Sequence, residues 1–225
     1  MREFNDIHDE VYRLELQIMK KDKKIVQHSL KDHVASCIDL GIVQIIDLKR
    51  PGHVHEESIR YLFDNEECRL TISGDYGNVI VWNGYGHSNI NVNDIHCYFD
   101  YPDYFVEKIR ANEEGKLYRY EEELAKLQLD EALFYVDDSD LINAAYLDGN
   151  KETFINDLMY EFTCYDGFQH IGSSIYSDVL DRLDEGLISE MIDMGKVFSR
   201  RIYFYLEGLK IAMKQLHIGI YSEYQ

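Results

Sequence analysis

The sequence predicts an α+β fold: a leading helix and an N-terminal antiparallel β-sheet module, followed by an acidic C-terminal helical module. Three observations predict it. Residues 6–31 place Ile7, Val11, Leu14, Ile18 and Ile25 near helical spacing. Between about 42 and 99, five short segments rich in β-branched and aromatic residues are separated by Gly, Asn and Asp. From Tyr104 onward the apolar spacing is helical again and acids accumulate. The expected division is a module over 1–110 and a second over 111–225, or one continuous domain.

A basic run, Lys20, Lys21, Lys23 and Lys24, lies near the end of the leading helix, where it either complements the helix dipole or is simply solvated. The expected strands are 42–49, 58–63, 68–73, 78–82 and 95–99. In the third, Leu70 and Ile72 share one face while Arg69, Thr71 and Ser73 share the other. Such alternation fits an antiparallel sheet with one wet side. The connections are too short for crossover helices, which disfavours a parallel sheet. Gly74-Asp75-Tyr76-Gly77 joins two alternating runs and reads as a hairpin turn with φ > 0 positions. It lacks the Lys-Ser/Thr of a P-loop, and a strand rather than a helix follows it.

Expected helices cover 103–114, 119–133, 139–147, 151–163, 175–194 and 196–216. Asp137, Asp138 and Ser139 are N-cap residue types, and Gly149 is placed to stop the helix they open. Over 175–194, Leu180, Leu183, Leu187, Met191 and Met194 form an apolar stripe. Asp178, Asp181, Asp184, Glu185, Glu190 and Asp193 lie mostly away from it, and Gly186 is a point of division. The last helix is expected to bury Phe198, Ile202, Tyr205, Leu209 and Ala212.

Residues 50–110 carry four ordered blocks. They are Arg50-Pro51-Gly52; Leu70, Ile72, Gly74, Asp75 and Gly77; Asp94 to Phe99; and Tyr104 to Ile109. This quarter of the chain resembles a family of uncharacterised phage, prophage and bacterial proteins with an L-x-I-x-G-D-x-G hairpin between a Pro-Gly turn and two aromatic blocks. The chain departs from that pattern at Asn65-Glu66-Glu67, where the family has Trp-Pro-Gly, and at His96, where it has Phe. The resemblance implies a phage origin and no particular reaction.

An apolar fraction of 45% with 13% aromatics excludes a disordered chain. The net charge of −19 is uneven. Residues 130–195 hold 16 acids against Lys151 and Arg182, whereas residues 1–129 hold 24 acids and 16 bases. Residues 196–225 hold two acids and five bases. Such a field repels nucleic acid and anionic membrane and attracts basic partners. No apolar core of a signal peptide follows MREFNDIHDE, and no run approaches a membrane span. Cys37, Cys68, Cys97 and Cys164 show no C-x-x-C spacing. The expectation is a protein of the host-cell cytoplasm with reduced thiols and no cofactor or metal.

Candidate chemistry is sparse. His53 and His55 alternate on a strand-like segment, and His87, His96 and Asp100 are the residue types that complete a zinc or iron site, but no H-E-x-x-H spacing connects them. Cys97 and His96 are neighbours on an expected strand, so they point to opposite faces and form no nucleophile–base pair. Glu121, Glu122 and Glu123 suit a helix start. The acids Asp137, Asp138, Asp140, Asp178, Asp181, Asp184, Glu185, Glu190 and Asp193 are the expected partner-binding set. Carboxylates one helical turn apart, ~5–6 Å, approach phosphate spacing. The leading expectation is a non-enzymatic phage protein that inhibits a basic nucleic-acid-handling host defence complex, in the manner of an anti-CRISPR protein. Its means would be acidic mimicry of nucleic acid, with exposed tyrosines as anchors. The alternatives are a small metal-dependent enzyme using His53, His55, Asp75 and His96, or an assembly protein forming a homodimer through its C-terminal helix.

Overall fold

The computed structural model describes residues 3–52, 57–82, 95, 97–112 and 117–219. The elements in order are α1 (Phe4–Ser29), β1 (Val34–Asp39), β2 (Val43–Lys49), β3 (Ser58–Asp64), β4 (Arg69–Gly74), β5 (Val79–Trp82), α2 (Cys97–Asp100), α3 (Pro102–Glu107) and β6 (Ile109–Asn112). There follow β7 (Tyr118–Tyr120), α4 (Glu122–Ala132), α5 (Asp138–Asn143), α6 (Lys151–Tyr165), a 3₁₀ turn (Ile171–Ser173), α7 (Ser177–Leu183), α8 (Leu187–Met191), β8 (Lys196–Phe198) and α9 (Arg200–Leu216). The fold is α+β: a leading helix, an antiparallel sheet, then helices.

Two compact units interleave along the chain. Residues 1–19 join 118–197 in a helical unit, and residues 20–117 join 198–225 in a sheet unit. This division runs differently from a single boundary near residue 110, because the last helix packs on β1, β2 and β3.

The sheet unit is a six-stranded antiparallel meander, β1-β2-β3-β4-β5-β6. Its period-2 pattern buries Ile46, Leu48, Ile59, Tyr61, Phe63, Leu70, Ile72, Val79 and Val81. From α9 come the buried Ile202, Tyr205, Leu206, Leu209 and Met213. The Tyr61 hydroxyl donates to the Tyr205 carbonyl at 2.9 Å, beside Gly208. Two polar ties join α1 to α9: Arg200 to the buried Asp22 at 3.0 Å, and the Gln27 amide to Glu207 at 2.7 Å. Gln215 accepts the Ala35 N–H at 2.8 Å and donates to the His33 carbonyl at 2.9 Å. One side-chain amide thus pairs with the outer edge of β1 as a neighbouring strand would. On the sheet's other face, Arg60 grips Asp47 through two bonds of 2.6 and 2.8 Å, with Lys49 at 3.2 Å. Those bonds hold the Asp47 carboxyl below the usual carboxylate range.

Several expected elements are corrected. The segment 95–99 is not a strand: Cys97–Asp100 is a helical turn, and Tyr98 and Phe99 are both buried although adjacent. Tyr98 meets Phe105 edge-to-face, with centroids 5.5 Å apart. The helix expected over 103–114 ends at Glu107, and 109–112 is extended. There the backbone pairs with β5, and that pairing overrides local helix propensity. β1 was not expected, because its exposed Val34, Ser36 and Ile38 give no clear apolar alternation. The starts of the helices expected at 119 and 196 are the short strands β7 and β8, which pair with each other.

The helical unit has its own core, formed around Ala125, Leu129, Leu141, Phe154, Leu158, Phe162, Phe168, Leu180, Leu187 and Met191. No helix among the described residues is long and apolar enough to cross a membrane.

Candidate partner-binding surface of the helical unit

The surface is built on helix ends. The carbonyls that follow α4 have no helical partner, and the Lys151 ammonium takes those of Leu133, Phe134 and Val136, the last at 2.9 Å. Next comes a capping box. Asp137 accepts from the N–H groups of Ser139 at 2.8 Å and Asp140 at 3.1 Å, while Asp140 accepts the Asp137 N–H at 2.9 Å. The Ser139 hydroxyl, then the backbone amides, hold the Asp137 carboxyl below the usual range. Asp138 accepts the Lys151 N–H at 2.8 Å. Three of the expected binding acids are therefore engaged in local structure, although all three stay exposed.

The segment 175–194 is two short helices, α7 and α8, separated by a turn at 184–186. Asp184 is extended and accepts the Gly186 N–H at 2.8 Å. The stripe of Leu180, Leu187, Met191 and Met194 is buried, and Asp178, Asp181, Asp184, Glu185, Glu190 and Asp193 are all exposed. Asp178 and Asp181 lie one turn apart on α7. Asp193 pairs with Lys196 at 2.6 Å. The acids occupy one side of this segment, but the turn interrupts the row.

Two adjoining grooves open here. One, of about 460 Å³, is lined by Phe4, Glu131, Ala132, Tyr135, Glu190, Asp193 and Met194 among others. The second, of about 510 Å³, has Asp140, Asp184 and Arg182 on its lining with Val136 and Leu183. Ala132 and Tyr135 line both. Tyr135 is 81% exposed, its ring stacked on Phe4 with centroids 5.9 Å apart and edge-on to Phe134 at 5.0 Å. Glu131 accepts from or pairs with His8 at 2.7 Å. Burial, with the Glu131 charge behind it, pushes the Glu15 carboxyl up.

Of the nine expected acids, the grooves gather Asp140, Asp184, Glu190 and Asp193 and leave Asp137, Asp138, Asp178, Asp181 and Glu185 outside their linings. Sequence reasoning missed Phe4, Glu131 and Tyr135. An aromatic placed next to the polar turn 137–140 was the available signal for Tyr135; nothing local marks Phe4. The helical unit as a whole carries 24 acidic and seven basic residues, a formal charge of −17. The sheet unit carries 18 and 16, a formal charge of −2.

The Gly74–Gly77 loop is the turn between the antiparallel strands β4 and β5. Asp75 accepts from the backbone N–H of Ser58 at 2.5 Å and from its hydroxyl at 3.2 Å. Tyr76 stacks on Phe204 with centroids 3.7 Å apart, and its carbonyl accepts from the Tyr205 hydroxyl at 2.8 Å. His53, His55, His87 and His96 lie outside the described residues. Among the described residues no group of three or more His, Cys, Asp or Glu is arranged to hold a metal ion. The thiols of Cys37, Cys68 and Cys164 are unbridged.

No family model, curated protein or solved structure matches this chain.

Proposed function

We propose that the chain is an acidic interaction protein whose helical unit engages a basic partner surface, and that it is a phage protein inhibiting a host nucleic-acid-handling defence complex. One observation carries this reading: nearly the whole net charge lies on one compact unit, with the candidate acids exposed on it. A field of this kind favours encounter with a positively charged channel or groove and disfavours direct contact with nucleic acid. The interrupted acid row favours charge contact with a basic protein surface over imitation of a regular phosphate backbone. The apolar side of α9 is buried within the chain, which leaves the homodimer reading without its stripe. The resemblance of residues 50–110 to phage proteins supports the origin.

The test is inhibition of a purified defence nuclease, a CRISPR effector first, across a salt series. Inhibition is expected to weaken from low to high ionic strength, as the Debye length falls from ~30 Å at 0.01 M to ~8 Å at 0.15 M. Asp178→Lys, Asp181→Lys and Glu185→Lys together bring the unit from −17 to −11 and should weaken inhibition at least tenfold, with the fold intact by circular dichroism, because these exposed acids cap no helix. Full inhibition by that triple variant would overturn the reading.

A further inference from the structure

We infer that the two grooves flanking Tyr135 form one docking track for an arginine-bearing segment of the partner protein, with apolar side chains between the arginines. The inference rests on the reading that the helical unit engages a basic partner, and it adds where and with what chemistry. Each groove has the size of a ligand cleft, about 460 and 510 Å³ against a usual ~300–1,000 Å³. The walls are mixed in a specific way. Phe4 and Ala132 in one groove and Ala132, Val136 and Leu183 in the other keep apolar surface accessible, while Glu131, Glu190 and Asp193 line the first and Asp140 and Asp184 the second.

The occupant follows from charge complementarity. An arginine stem lies on apolar surface while its guanidinium reaches a carboxylate. Tyr135 lines both grooves, its ring against Phe4 and Phe134, and the residue is 81% exposed. The exposed ring offers its face to the apolar side chains between the arginines, so it carries the preference for them. The cations already present do not neutralise the lining. His8 meets Glu131, Lys196 meets Asp193 and Arg182 lies on one wall, while Glu190 has no ion-pair partner among the described residues. A nucleic acid is repelled by the −17 charge of this unit. A purely cationic, hydrophilic segment would leave the apolar floor unused.

Fluorescence anisotropy with the full chain tests this, using two labelled hexapeptides of equal charge, one alternating arginine and leucine, the other arginine and serine. The arginine–leucine peptide is expected to bind about tenfold tighter, which is ~1.4 kcal/mol. Tyr135→Ala should remove that preference while arginine–serine binding stays within about twofold. Glu190→Gln should weaken both peptides. Equal binding of the two peptides by the unaltered chain, or a preference that survives Tyr135→Ala, overturns the docking track alone. Binding of neither peptide overturns both the track and the charge reading beneath it.

Discussion

At Gly74 the backbone has φ +135°, and a Cβ there would stand 2.1 Å from the Ser58 carbonyl oxygen. Gly74→Ala should therefore cost on the order of 3 kcal/mol, read as a lower denaturant midpoint with unchanged slope. The alternation and glycines of this turn were legible in the sequence, as was its role as a hairpin. Its anchoring was not, since Asp75 reaches back to Ser58 and Tyr76 meets Phe204 far along the chain. Contacts of that range leave no local pattern. Tyr61 is a second single-residue case. Burial pushes its phenol well above the usual value. A raised folded value means the stabilisation is complete below the unfolded value near ~10 and is lost as pH rises beyond it. Base titration followed at 295 nm should show Tyr61 ionising only together with unfolding. Smooth, reversible titration of every tyrosine in the folded protein would contradict this.

Elements were legible where one pattern dominated, as in α1, β3, β4 and α6, and illegible where tertiary pairing won. The 109–112 segment is a strand because β5 offers it a hydrogen-bonding edge, which no helix count reveals. Asp22 falls on the buried side of α1, a position that reads as a break in the stripe until Arg200 supplies its partner. The candidate site was half legible for the same reason. Acid density identified the unit, but Tyr135 and Phe4 come together only on folding. Two expectations belong at this scale. The Asp47–Arg60 tie joins β2 to β3, and the carboxyl lies below its unfolded value near ~3.9. Its stabilisation is present above that value and disappears as pH falls through the lowered folded one. Denaturation midpoints should therefore fall between pH 6 and pH 3, and by less in Arg60→Met. Similarly, Asp137→Ala removes the capping-box acceptor of α5 and should lower the melting temperature by a few degrees, whereas Asp178→Ala, on an exposed face, should leave it almost unchanged.

For the whole molecule, the charge imbalance was plain in the sequence, yet its assignment to one folded unit was not. Residues 1–19 look like the start of the sheet module and belong with the helices instead. A unit carrying −17 repels itself at low salt, so raising sodium chloride from 0.01 to 0.15 M should raise its melting temperature. A falling melting temperature would show that specific ion pairs outweigh repulsion. The interleaved topology has one more consequence. Leu117 and Ser199 are hydrogen-bonded at 2.8 Å, so the chain leaves the sheet unit and re-enters it at neighbouring points. During translation, β1 to β6 emerge first, and the helix that covers Ile59 and Tyr61 emerges about a hundred codons later. At ~5–20 residues per second that is a delay of roughly 5–20 s. Throughout it the nascent sheet shows bare apolar surface to the ribosome's chaperones.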